Sequence, residues 1–208
     1  DSVASRGLGD VYKRQVHRLP GLGGSPVPML VLVGVGPLDD DGEVSDEALR
    51  RAAGAAVRSL AGTDAVALAL PADTAQRLSA VAEGASMGAY AFTALKSEKA
   101  REEAEKSRPV RGLEFVTALG AEEAEAALRR AAVLGDAVCA VRDLVNTAPS
   151  HLYPGTFADA VAQDLSGSSV SVDVWDEERL TAEGFGGILA IGQGSSRPPR
   201  LVRIEHAP

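Results

Sequence analysis

The chain has 208 residues, of which 45% are hydrophobic, 24% are charged and only 4% are aromatic. This balance is typical of a globular protein and excludes a disordered chain, and with so few rings the core must be built mainly from Ala, Val and Leu. The formal net charge of −8 argues against a protein that neutralises nucleic-acid phosphates or coats an anionic membrane.

Cysteine and histidine are too sparse to build several kinds of site. Cys139 is the single cysteine, so neither an intrachain disulfide nor a zinc site built on cysteines is possible. His17, His151 and His206 lie too far apart along the chain to form a local metal-binding pair. No apolar run approaches the roughly 20 residues that a membrane helix needs, and the chain opens without a signal-peptide pattern. We therefore expect a cytoplasmic protein with no membrane partner.

The first half of the chain predicts alternating strands and helices. Residues 1–15 show no periodicity and are expected to be a leader foreign to the fold. The short apolar runs are typical of strands buried on both faces. In chain order we predict a turn-rich loop over 18–24, a strand over 27–36, a helix over 47–61, a strand over 64–70, a helix that follows a capping box at Asp73 and Gln76 and carries its apolar stripe to Leu95, a solvated loop over 96–111 and a strand over 112–119.

The second half begins with a long predicted helix over 122–145. After it we predict a loop over 147–155, a helix from Pro154 to about 165, a strand over 169–175, a short helix capped by Asp176 and ended by Gly184, and a last strand over 200–206. This order of elements implies α/β architecture with parallel sheets covered by helices. The strands over 170–175 and 201–204 are expected to lack partners.

Few residues indicate chemistry. The glycine-rich segment 184–199 fits neither phosphate-binding template and predicts a tight chain passage beside a packed neighbour. Ser150 and His151 are the best candidate nucleophile and base, but adjacency in sequence does not place a base against a hydroxyl. Cys139 is expected to be a buried structural residue. From the residues alone, the chain is an α/β globular protein without a recognisable active site.

Three blocks of sequence have the order and spacing of a known family. Residues 83–97 read EGASMGAYAFTALKS, residues 140–161 read AVRDLVNTAPSHLYPGTFADAV, and residues 184–206 read GFGGILAIGQGSSRPPRLVRIEH. They resemble the leucyl aminopeptidase (cytosol aminopeptidase) family over roughly residues 16–206. The resemblance implies a macro-domain-like N-terminal domain over 16–120, with a parallel or mixed sheet and flanking helices, a connecting helix over 121–147, and the beginning of a two-metal exopeptidase domain over 148–208.

The resemblance stops short of the family's chemistry. The family's metal ligands, its catalytic Lys and Arg and its NTDAEGRL signature all come after the last strand of this chain, and its first N-terminal strands have no counterpart. Tyr153 stands where many relatives have Thr, and it cannot cap the next helix through a short side-chain oxygen. We therefore expect a truncated fragment that contributes no catalytic, metal-binding or cofactor-binding residue and binds no metal by itself.

For the whole protein, the resemblance implies a metalloprotease that hydrolyses N-terminal residues from peptides. Two divalent ions, manganese or zinc, would polarise the peptide carbonyl, bind the free amine and activate a bridging water. The family implies a homo-oligomer, a hexamer, in which this chain would hold subunits together and support the catalytic sheet. The alternative is a standalone macro-like binding or oligomerisation module without enzymatic activity.

Overall fold

The structure is a computed structural model that describes residues 15–21 and 27–206. It divides into two compact units, Asp1–Val141 and Arg142–Pro208. The predicted leader over 1–15 lies outside the described residues except for Gln15, whose carbonyl accepts a hydrogen bond from the Gly34 N–H at 3.0 Å. Gln15 thus extends the first strand pair. Across the described residues, no helix is both long enough and apolar enough to cross a bilayer.

The described part of the first unit contains four strands and four helices. They are β1 (Val16–Pro20), β2 (Met29–Val33), α1 (Asp46–Ser59), β3 (Ala65–Leu68), α2 (Ala75–Gly88), α3 (Glu98–Glu105), β4 (Gly112–Phe115) and α4 (Ala121–Asn146), the last of which continues into the second unit. β1 pairs with β2 antiparallel, whereas β3 pairs with β4 parallel. The expectation of parallel sheets is therefore correct for β3 and β4 only.

The β1–β2 ribbon corrects two predictions. Part of the predicted loop over 18–24 is strand β1, and β2 is not buried on both faces. Val31 packs against the core of the unit, but Leu30 and Leu32 are 43% and 51% exposed. In β3 only Leu68 is buried. The apolar runs predicted strands correctly, but hydrophobicity alone does not say how many faces another element covers.

The core of the first unit lies where α1 packs on α2. Its buried residues are Leu49, Ala53, Val57, Leu60, Leu68, Val81, Ala85 and Val110. The two helices come very close because glycines meet: a Cβ on Gly88 would lie 2.5 Å from the Gly54 carbonyl oxygen. The small residues on these two helices therefore serve the packing of one helix against the other.

Helix boundaries follow local capping. Thr74, not Asp73, caps α2 by accepting from the Arg77 N–H at 3.2 Å, and the helix ends at Gly88 rather than near Leu95. The predicted loop over 96–111 contains α3, whose first turn is capped by the Ser97 hydroxyl. The charged residues of this segment predict solvent exposure, which is correct for α3, but exposure does not exclude a helix. The long helix is confirmed as α4.

In the second unit, the residues that the structure describes after α4 form two strands and three helices. They are α5 (Pro154–Asp164), β5 (Val170–Trp175), α6 (Glu177–Ala182), α7 (Gly186–Gly192) and β6 (Leu201–His206). β5 pairs with β6 antiparallel, from Val170 opposite His206 to Trp175 opposite Leu201. The expectations of parallel pairing and of unpaired strands are both wrong here, because the short helices between the strands let the chain return beside itself.

Turn and cap predictions in this unit are confirmed. Asp176 caps α6 by accepting from the Arg179 N–H at 2.9 Å, and Gly184 follows that helix with a φ of +78°. The glycine-rich segment contains α7, which was not predicted. The predicted close passage of the chain beside a packed neighbour occurs at Gly192, where a Cβ would lie 2.8 Å from the Pro199 ring. It does not occur at Gly186, where a Cβ would meet no atom within 4 Å.

Candidate functional site

The structure brings together the one nucleophile–base pair that the sequence suggests. Ser150 Oγ lies 2.9 Å from His151 Nδ1, in the exposed loop that precedes α5. Among the contacts of the described residues, no carboxylate bonds to the other ring nitrogen of His151. An exposed base without an orienting partner or a sheltered pocket does not activate a serine hydroxyl. Among the described residues, the structure therefore joins the serine and the histidine without the orienting group of a catalytic triad.

The same loop is held from the far end of the unit by Arg197. Its guanidinium donates to the Pro149 carbonyl at 2.5 Å and to the Ser150 carbonyl at 3.3 Å. It also stacks over the Tyr153 ring, with 4.3 Å between the guanidinium carbon and the ring centroid. Arg197 thus satisfies two loop carbonyls and covers an aromatic face at once, which is a structural arrangement and not a reactive one.

Tyr153 makes no side-chain capping bond to α5, as predicted. The helix start is stabilised instead by Thr156, whose Oγ1 accepts from the Tyr153 N–H at 3.0 Å, and by Pro154 at the first helical position. Beside this helix start lies an open cleft of about 430 Å³, lined by Leu152, Tyr153, Pro154, Phe157, Arg200 and Val202. Arg200 is already paired with Glu177 at 2.5 Å, so the cleft offers mainly an apolar and aromatic wall.

A second open cleft, of about 520 Å³, lies in the first unit beside α1, α2 and α4. Within the lining Arg50 bonds to Glu83 at 2.9 Å, and Arg50 also bonds to Glu47, outside the lining, at 2.7 Å. Hydrogen bonds from Arg50 and Arg51 lower the pKa of Glu47 below its ordinary value. A carboxylate held ionised in this way cannot serve as a general acid near neutral pH.

The described residues do not fit the two-metal centre that the resemblance implies. Among them, no group of three or more His, Cys, Asp or Glu side chains is arranged to hold a metal ion. Asp39, in the acidic loop before α1, instead accepts from the backbone N–H groups of Asp41 and Glu43. Cys139 is half-buried on α4, so the expectation of a buried residue is only partly met.

Sequence reasoning missed the contacts of Arg197 because they join positions more than 40 residues apart. The only signal for them in the sequence is that both partners lie in blocks carrying the family resemblance, over 140–161 and 184–206. Blocks with conserved spacing can meet in space, but one sequence does not show which residues touch.

Comparison with known families identifies the class of protein. Residues 12–99 match the family model described as "Cytosol aminopeptidase family, N-terminal domain", and residues 139–208 match the catalytic domain of the same family. The chain therefore belongs to the cytosol aminopeptidase family. Its mixed α/β fold comprises the N-terminal domain and part of the catalytic domain.

Curated relatives agree with this assignment. The chain is 82% identical over 194 residues to a protein of Micrococcus luteus named "Probable cytosol aminopeptidase", covering 93% of this chain and 38% of the relative. A protein of the same name from Leifsonia xyli is 47% identical, and the match covers 94% of this chain and 37% of that relative. The chain thus spans less than two-fifths of the length of these relatives.

Solved structures show the same architecture. The bottromycin maturation enzyme BotP in complex with Mn is 29% identical with a TM-score of 0.77, covering 100% of this chain and 43% of BotP. A mutant of tomato leucine aminopeptidase is 25% identical with a TM-score of 0.69. The match covers 97% of this chain and 40% of the tomato protein. The likeness to each structure therefore covers both units of the chain and under half of the longer protein.

Proposed function

We propose that this chain is part of a metal-dependent aminopeptidase that removes N-terminal residues from peptides. The observation that carries the proposal is the match, in the right order, to both the N-terminal and the catalytic domain of one family. A standalone macro-like module does not account for the match over 139–208. In this reading residues 16–120 form the N-terminal domain, 121–147 the connecting helix, and 148–208 the beginning of the catalytic domain.

Within that protein, the role proposed for these residues is support and assembly. The described residues offer no donor set for a metal centre, so the ligands and the catalytic groups would come from elsewhere in the whole protein. The manganese complex of BotP favours manganese as the ion, with zinc as the alternative. We further propose a cytoplasmic homo-oligomer, a hexamer, in keeping with the family resemblance.

A chimera tests the proposal. In the Micrococcus luteus relative, the region aligned over 194 residues is replaced by the corresponding residues of this chain. Hydrolysis of leucine p-nitroanilide is then measured with Mn²⁺ or Zn²⁺, with and without a chelator. We expect the chimera to keep kcat/KM within about threefold of the relative, a change of under 1 kcal/mol in transition-state stabilisation.

Two outcomes would contradict the proposal. A folded chimera without activity would show that these residues do not serve as the first part of the enzyme. Chelator-sensitive turnover by the chain alone would show that it holds its own catalytic centre. The matched control for the chimera is the unmodified Micrococcus luteus protein, purified and loaded with metal in the same way.

A further inference from the structure

We draw no further inference here: the strongest candidate, the open cleft of about 520 Å³ beside α1, α2 and α4, carries nothing because Arg50 pairs with Glu83 and Gln76 with Asp46 inside it, and among the described residues no buried polar atom without a partner faces it to indicate a ligand.

Discussion

Replacing Gly84 by Ala tests how closely α1 and α2 must pack. A Cβ at this position would lie 2.0 Å from the Arg50 carbonyl oxygen, 2.7 Å from its carbonyl carbon and 2.9 Å from its Cα. All three atoms belong to the backbone of α1, so none can rotate away as a side chain would. The helices must instead separate by about 1 Å to restore van der Waals contact.

The magnitude follows from two opposing effects. Forcing packed elements apart costs about 1–3 kcal/mol, and here the upper part of that range applies because backbone blocks the new atom. Alanine in place of glycine inside a helix stabilises the helix by about 1 kcal/mol, because its helix propensity is higher. We therefore expect Gly84→Ala to lower the free energy of unfolding of the first unit by about 1–2 kcal/mol. Gly54→Ala should cost less, because its Cβ would meet a single backbone atom closer than 3 Å, at 2.9 Å.

Urea denaturation followed by far-UV circular dichroism is the suitable assay. The single tryptophan, Trp175, lies in the second unit, so its fluorescence would not report on the packing of α1 against α2. Gly54→Ala serves as the matched control, since the propensity gain is the same and the clash is smaller. A Gly84→Ala protein that is as stable as the original, or more stable than Gly54→Ala, would refute the close-packing argument.

Three further predictions concern the second unit. Asp176→Ala should destabilise it by about 1 kcal/mol through loss of the α6 cap, seen as a lower Tm by tryptophan fluorescence, whereas Asp176→Asn should lose much less. Hydrogen bonds from Trp175 and Arg179 lower the pKa of Asp173, so its contribution to stability is present above the unfolded value and is lost as pH falls through the lower folded pKa. With Asp173→Asn, Tm should therefore fall less steeply as the pH drops below about 4. A variant whose Tm falls as steeply as that of the original protein would contradict this. Arg197→Ala should speed amide hydrogen exchange in residues 150–153, because two loop carbonyls and the Tyr153 ring lose their partner. Unchanged exchange rates would show that Arg197 does not hold the loop.

Sequence alone determined the features that depend on near neighbours. The long helix α4, the Asp176 cap and the turn at Gly184 were predictable because each requires only residues within a few positions. The family was predictable for a different reason, since three blocks with the right spacing are together far more specific than any one motif. For the candidate site, Ser150 and His151 are adjacent in the sequence, but only the structure shows the hydrogen-bond distance between Ser150 Oγ and His151 Nδ1.

Only the tertiary structure decided the direction of strand pairing and the exposure of apolar faces. The apolar runs at β2 and β5 predict strands, but periodicity carries no information about which strand lies alongside, and both pairs proved antiparallel. Periodicity likewise does not reveal that Val133 and Leu32 are exposed although they are apolar. Whether an apolar face is buried depends on contacts with residues far along the chain, and those contacts are set by the packing of whole elements rather than by the local order of side chains.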